Sequence, residues 1–408
     1  MPLTRRQIYR RRRIVVFGGA ALVLGTAFYL PITLLAPLHD AVPVELTIQP
    51  PAVEQPVVDF PPYGAAGLGA VGYAGVLAQG GSTDPLPIAS ISKIVTALVV
   101  LDAKPLAPGD QGPDLTFSSI DEDFYAEQIA QDGVVAPVSA GQVMSQRNVL
   151  SLMLMASANN YAQSLAAWAF GSEAGYVDAA RDWLARQGLT STTIADATGI
   201  NPANASTVTD LVALAKLAIA DPVVSEIVGT ANLEIPDIGL VENRNGLLGV
   251  DGVDGIKTGT LDEAGSCLLF SADHVIGGET ITLVGVVLGG PDHATIDEAV
   301  RGLLAQADSG FREVTLTTAG DAFAEYDTPW GDDATAVAAQ TTSAVVWANA
   351  PVTVQVTVDP VRLASAGTDV GEAVFAYGDR QVVVELDLSA TIDDPGPWWR
   401  LTNPTQLF

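Results

Sequence analysis

Three short stretches carry side chains that could make and break a bond. In Ala89-Ser90-Ile91-Ser92-Lys93 a serine and a lysine stand one helical turn apart, close enough for the amine to reach the hydroxyl. Residues 94–101 are nearly all apolar on every helical face, as in a helix buried inside a domain. A lysine entering such a helix loses hydration and proton affinity, and a partly neutral amine is a base that can activate a serine. The same lysine could instead pack its stem on apolar neighbours and carry its head to water.

The second stretch, Ser157-Ala158-Asn159, lies between helical patterns at 142–155 and 161–170. It reads as a capped helix junction or as polar side chains presented into a cleft. The third is Lys257-Thr258-Gly259-Thr260, within a strand-like run and followed by apolar strands at 267–272 and 281–288, an expected antiparallel meander. A lysine, a hydroxyl and a bare backbone on a strand edge suit a substrate strand whose carboxylate rests on Lys257 and Thr258. An ordinary hairpin with a solvated lysine is the other reading. The chain has only four lysines, Lys93, Lys104, Lys216 and Lys257, and two of them fall on these motifs.

Composition removes whole classes of function. A formal charge of −28 argues against nucleic acid or polyphosphate partners, which need clustered basic groups. The single Cys267 sits in an apolar run and reads as core, leaving no disulfide framework or Cys-rich metal site. The three histidines, His39, His274 and His293, show no ligand spacing, so neither metal nor organic cofactor is expected. With 48% hydrophobic and 16% charged residues, the 408-residue chain can bury the cores of two domains or more.

Along the chain, residues 1–13 are arginine-rich and residues 14–36 are uncharged, long enough to cross a bilayer as one helix. The flanking arginines would hold the N-terminus in the cytoplasm and place the rest outside, as a single-pass anchor; a cleaved signal peptide competes with this reading. Prolines recur through 37–63, predicting a stiff extended spacer. One or two strands over 64–79 should lead to the buried helix, and 110–141 reads as loop with a short strand or two. Helices are expected at 173–186, at 207–220 behind a capping-box-like start, and near 297–306. Residues 311–408 alternate in short runs (314–317, 344–347, 352–358, 381–388) separated by Gly, Pro and Asp, predicting a small all-β domain.

Taken together, the order and spacing of Ser90-Ile91-Ser92-Lys93, Ser157-Ala158-Asn159 and Lys257-Thr258-Gly259 resemble the penicillin-recognising serine acyl-transferases. The run Asn243-Arg244-Asn245-Gly246-Leu247-Leu248, and Val253 to Thr260 followed by Ala264-Gly265, are similar to the low-molecular-mass penicillin-binding proteins that act as D-alanyl-D-alanine carboxypeptidases. The resemblance covers residues 64–308. It implies an α+β fold of the penicillin-binding-protein/β-lactamase type, an antiparallel sheet flanked by helices, with the N-terminal transmembrane helix and C-terminal β domain added. It also implies that Ser90 attacks the penultimate D-Ala carbonyl of a peptidoglycan stem peptide while Lys93 accepts its proton. Ser157 would pass a proton to the leaving D-Ala, and the Ser90 and Thr260 N–H groups would hold the oxyanion. Asn159 would bind the substrate amide, Lys257 and Thr258 its carboxylate, and β-lactams would acylate the same serine.

Two departures stand out. Many members carry an arginine after the Gly-Gly that ends the last sheet strand, where this chain reads Gly289-Gly290-Pro291; Arg244 could supply the missing charge. Membrane attachment in that family is often C-terminal, whereas here the apolar run is N-terminal. A β-lactamase would need a glutamate-bearing loop between Asn159 and Lys257, and no Glu-x-x-Leu-Asn occurs there. A non-catalytic wall-binding scaffold would have no use for a lysine in an apolar helix.

Overall fold

The computed structural model describes residues 5–49, 57–348 and 351–408. A five-stranded antiparallel sheet, ordered Val253–Leu261, Gly265–Ile276, Glu279–Gly290, Ala65–Ala70 and Ala78–Gly81, separates two hydrophobic cores. Side chains alternate across a strand, so one strand feeds both. Cys267 and Leu269 enter the first core, while Leu268, Phe270 and Ala272 enter the second.

The first core holds the helices Ser92–Ala103, Gln146–Leu154, Asn159–Phe170, Glu173–Arg186, Val208–Ala220 and Pro222–Val228. Ser92–Ala103 is buried on all sides through Leu101, as its unbroken apolar run predicts. The second core lies under the helix His293–Gly310 and continues into the C-terminal module. That module carries a six-stranded sheet and a separate pair, Phe311–Thr317 with Thr342–Trp347. Tyr73 joins the two bodies: its hydroxyl donates to the Val345 carbonyl at 2.7 Å, and Arg380 reaches both Tyr73 and Glu279.

Several expectations are corrected. Residues 110–141 contain a helix, Ser119–Ala130, which starts on a reciprocal capping box between Ser118 and Asp121. Its low apolar content hid it. The helix Pro222–Val228, the hairpin Asn232–Ile235/Gly239–Glu242 and the strands Ala322–Asp327, Asp333–Ala338 and Asp369–Tyr377 add to the expected elements, and the C-terminal module ends in a helix, Gly396–Thr402.

The proline-rich stretch is also no free spacer. Ala41 bridges to Val361, Val44–Glu45 adds a strand beside Ala322–Asp327, and Leu46 donates to the Phe323 carbonyl at 2.8 Å. An edge strand leaves backbone groups unpaired, and the proline-free part of the stretch can satisfy them. Pro50, Pro51 and Pro56 lie outside the described residues. One continuous helix, Arg5–Leu34, is long and apolar enough to cross a membrane. The C-terminus returns to its far end: Tyr29 donates to the Leu401 carbonyl and Arg400 to that of Ala36, both at 2.6 Å.

Glycine permits the tight contacts that hold the sheet. A Cβ on Gly285 would stand 2.4 Å from the Phe270 ring and 2.6 Å from the Gly67 carbonyl oxygen, whereas one on Gly302 meets nothing within 4 Å. Gly285→Ala is expected to destabilise the fold by about 2–3 kcal/mol. Gly302→Ala, on an exposed helical face, should stabilise it by about 1 kcal/mol. Urea unfolding of both variants checks the contrast; equal midpoints would mean that the sheet tolerates the extra carbon.

Candidate active site

Ser90 lies in the 3-10 turn Ala89–Ile91 that leads into the buried helix, not in the helix proper. The turn is strained, because Ala89 takes a left-handed backbone (φ 47°) that a side-chain-bearing residue adopts at a cost of about 1–2 kcal/mol. Two glycines press against it. A Cβ on Gly199 (φ +87°) would lie 2.1 Å from the Ala89 carbonyl oxygen, and one on Gly259 would lie 3.3 Å from the Ser90 nitrogen. Gly259 therefore lets the strand Val253–Leu261 run hard against the backbone of Ser90.

The Lys93 amine is fully buried and faces three acceptors: Ser90 Oγ at 2.9 Å, Asn159 Oδ1 at 2.6 Å and the Thr198 carbonyl at 2.5 Å. Loss of hydration holds its proton affinity well below that of an ordinary lysine, Lys257 pushes the same way, Asp196 opposes, and Arg244 lowers it again. A neutral amine has two N–H groups and one lone pair. Asn159 and the Thr198 carbonyl can only accept from it, so they orient both N–H groups and leave the lone pair to receive the Ser90 proton.

Each partner is itself fixed. Asn159 opens its helix and gives one amide N–H to Gln128 Oε1 at 2.7 Å. Thr198 is held by the Asp196 carboxylate, which accepts from the Thr198 and Gly199 N–H groups at 2.6 Å each and from Asn201 at 2.8 Å. Gln128, Asp196 and Thr198 escaped the sequence reading. The Asp196-Ala197-Thr198-Gly199 turn signature, an Asx turn closed by glycine, could have marked the loop. A cleft of about 430 Å³ lined by Gln128, Gln163, Glu173, Asp196 and Thr198 adjoins these partners.

Ser157 is buried, two residues from Asn159, in a left-handed backbone (φ 62°). Its hydroxyl makes no hydrogen bond among the described residues, and none links it to Ser90 or Lys257. Lys257 is 2% exposed and, among the described residues, donates only to the Thr258 carbonyl, at 3.0 Å. Burial, aided by Arg244, lowers its pKa to about 7. Arg244 is exposed, and its N–H donates to the Met155 carbonyl at 3.1 Å, tying the Asn243–Asn245 run to the segment before Ser157. Thr258 is nearly buried, and the exposed Thr260 shares a 2.7 Å hydrogen bond with His293 Nε2, a contact the sequence did not suggest. Cys267, one strand away, has its thiol pushed up to about 11 by burial and is core.

The arrangement holds a hydroxyl with a base at one end of the edge strand Val253–Leu261, and a buried cation with threonine hydroxyls along it. Such a site can transfer the acyl group of a substrate that carries a negative charge. Known proteins similar to this chain carry names of D-alanyl-D-alanine peptidases. The 29% identity to the D-alanyl-D-alanine carboxypeptidase DacC of Escherichia coli covers 64% of this chain and 62% of that protein. The D-alanyl-D-alanine endopeptidase of Pseudomonas aeruginosa is 32% identical over 45% of this chain and 58% of its own length. The chain thus spans about three fifths of the length of these curated relatives.

Solved structures agree on the fold. A peptidoglycan synthesis regulatory factor (PBP3) from Streptococcus pneumoniae aligns with a TM-score of 0.61 at 21% identity, covering 81% of this chain and 99% of that one. Penicillin binding protein 5 from Haemophilus influenzae gives 0.57 at 20% identity, over 85% of this chain and 100% of its own. The model of the D-alanyl-D-alanine carboxypeptidase family matches residues 72–292, more than half of the 408 residues and all three motifs. This chain belongs to the D-alanyl-D-alanine carboxypeptidase family of peptidases.

Proposed function

We propose that the chain is a serine D-alanyl-D-alanine carboxypeptidase that removes the terminal D-Ala of peptidoglycan stem pentapeptides through an acyl-enzyme. The observation that carries this is the buried Lys93 amine, 2.9 Å from Ser90 Oγ with its two N–H groups committed elsewhere. Ser90 Oγ attacks the carbonyl carbon of the penultimate D-Ala as its proton passes to Lys93. The N–H groups of Ser90 and Thr260 receive the oxyanion, where Gly259 lets the two backbones approach. The C–N bond breaks as Lys93 returns that proton, relayed by the Ser157 hydroxyl, to the departing amine; water then attacks the ester, giving one proton back through Lys93 to Ser90 Oγ as the acyl group leaves with the water's oxygen. A free Asn159 amide N–H remains for the substrate backbone, since only one is given to Gln128.

The charge beyond the scissile bond supports carboxypeptidase over endopeptidase action. Lys257, with Thr258 and Arg244, suits the terminal carboxylate of a leaving D-Ala. The same cleft would accept β-lactams, whose ring amide and carboxylate present similar groups. The helix Arg5–Leu34 is read as a single-pass anchor in the cell membrane, N-terminus in the cytoplasm and residues 64–308 outside, supported by its length and the arginines preceding its apolar part.

A fluorescent penicillin should label the wild-type chain stably, with label and pentapeptide hydrolysis both lost in Ser90→Ala by at least about 10³-fold. Rapid turnover of the label would instead indicate a β-lactamase, and no adduct a binding scaffold. Product analysis on a defined pentapeptide against a cross-linked dimer separates carboxypeptidase from endopeptidase action.

The pH profile follows from the two amines. Burial, with Lys257 adding to it, holds Lys93 well below an ordinary lysine, so raising the pH turns it into a neutral base, and the reactive form is the one in which Lys257 still carries its charge. Above a pH of about 7 Lys257 loses its charge as well. The ratio kcat/KM should therefore be bell-shaped with an alkaline limb near 7, and the limb in kcat should move upward because a bound carboxylate holds the proton on Lys257. A flat profile from pH 6 to 9 would remove Lys257 from carboxylate recognition.

The same burial makes Lys257 a liability for folding. Its folded-state pKa lies below the unfolded value, so the unfolded chain binds more protons and stability rises with pH between about 7 and 10.5. Lys257→Met should remove its share of that slope, leaving the share of Lys93, and raise stability at pH 6 by about 2 kcal/mol, read as a higher Tm, while kcat/KM collapses. A lower Tm would show that the amine is well satisfied where it lies.

A further inference from the structure

We propose that His293 is a positioning residue for the leaving-group carboxylate: its hydrogen bond to Thr260 turns the threonine proton outward, toward the substrate. The proposal rests on the peptidase reading above and adds a residue on the side of the edge strand away from the nucleophile.

The register defines the two sides. Lys257 and Gly259 pair with Leu269 and Cys267, whose side chains enter the first core, where the Ser90 turn lies. Thr258 and Thr260 alternate with them, and Thr258 pairs with Leu268, which enters the second core under the helix His293–Gly310. Lys257 thus serves the open edge from below, together with the base. The two threonines serve it from the other side, and His293, the first residue of that helix, reaches Thr260 at 2.7 Å. Asp292 fixes the start of the helix by accepting from the Thr295 N–H at 2.7 Å. Thr260 is exposed and His293 partly so, so a ligand can reach both.

A threonine hydroxyl has one proton and two lone pairs. If Thr260 donated that proton to the ring, only lone pairs would face an arriving carboxylate, which would repel it. If Nε2 carries the hydrogen and donates to Thr260 Oγ, the hydroxyl proton is free to donate to the anion. The second arrangement is the one proposed, with the 2.7 Å contact running from the Nε2 hydrogen to Thr260 Oγ. Thr258 and Thr260 would then present two parallel donors along the strand, with the Lys257 charge behind them.

The test compares two peptides sharing the scissile D-Ala–D-Ala bond, one ending in a free carboxylate and one in a carboxamide. His293→Leu should raise KM for the acid peptide roughly tenfold, leave kcat within about twofold, and leave the carboxamide peptide unchanged. His293→Gln, whose amide N–H can reach Thr260, should restore most of the loss. Thr260→Val should reproduce the leucine phenotype, and the double variant should be no worse than either single. Equal losses on both peptides, no rescue by glutamine, or additive effects would overturn the proposal. Wild-type protein that cleaved neither peptide would instead overturn the peptidase reading, and with it this role; penicillin labelling of each variant controls for folding.

Discussion

The structure depends on keeping one amine dry and correctly aimed. Lys93 is fully buried, and its orientation comes from two acceptors that belong to different elements, Asn159 at a helix start and the Thr198 carbonyl in a loop. Those elements are pinned in turn, Asn159 by Gln128 and Thr198 by the Asp196 carboxylate. A hydrogen bond to a buried group is worth little on balance, but a missing one costs the full desolvation of its partner. Slackness at any of these contacts would therefore lead the amine to water or leave it unsatisfied. This is why the helices, the capped junction and the Asx loop have to converge on one nitrogen.

The sheet solves the second half of the problem. A reaction centre that uses a neutral amine and a cation a short distance apart needs both buried, yet they must not share a proton state. Lys93 comes from a helix inside the first core, and Lys257 from the edge strand that walls it. The strand carries Lys257 on the side of the Ser90 turn while its threonines face the opposite way, so a single edge separates the amine from the hydroxyls. Gly259 then decides how closely that edge can lie against the Ser90 turn, and any side chain there would hold them apart.

Much of this was legible from residue types. Ser90, Lys93, Asn159 and Lys257 declared themselves because a lysine in an apolar run is anomalous and because the chain has so few lysines. The helix Glu173–Arg186 and the strands after Lys257 followed from periodicity. The roles of Gln128 and Thr198 were not legible, for two different reasons. Gln128 belongs to a helix whose stability comes from its cap and its packing on Asn159–Phe170, leaving almost no apolar stripe. Thr198 acts through its carbonyl, which every residue possesses. The contact between Thr260 and His293 joins positions 33 residues apart, and it exists only because the turn after Gly290 brings a helix start to the strand end. The prolines of 37–63 suggested stiffness but could not reveal that a sheet edge was waiting for Val44–Glu45.

That docking changes how the helix Arg5–Leu34 relates to the five-stranded sheet. A free proline-rich tether would let the domain tumble at the end of its reach. Here the residues just after the apolar helix are bonded into the C-terminal module, through the Arg400 contact with Ala36 and a small apolar cluster of Ala36, Leu38 and Leu407. The module is joined in turn to the sheet through Tyr73, Arg380 and Glu279. Motion of the catalytic domain relative to the helix is thereby coupled to breaking specific contacts, instead of being set by chain entropy alone. The β module, which carries none of the three motifs, thus has a physical task in the molecule: it fixes the orientation between the helix Arg5–Leu34 and the edge strand where the reaction centre lies.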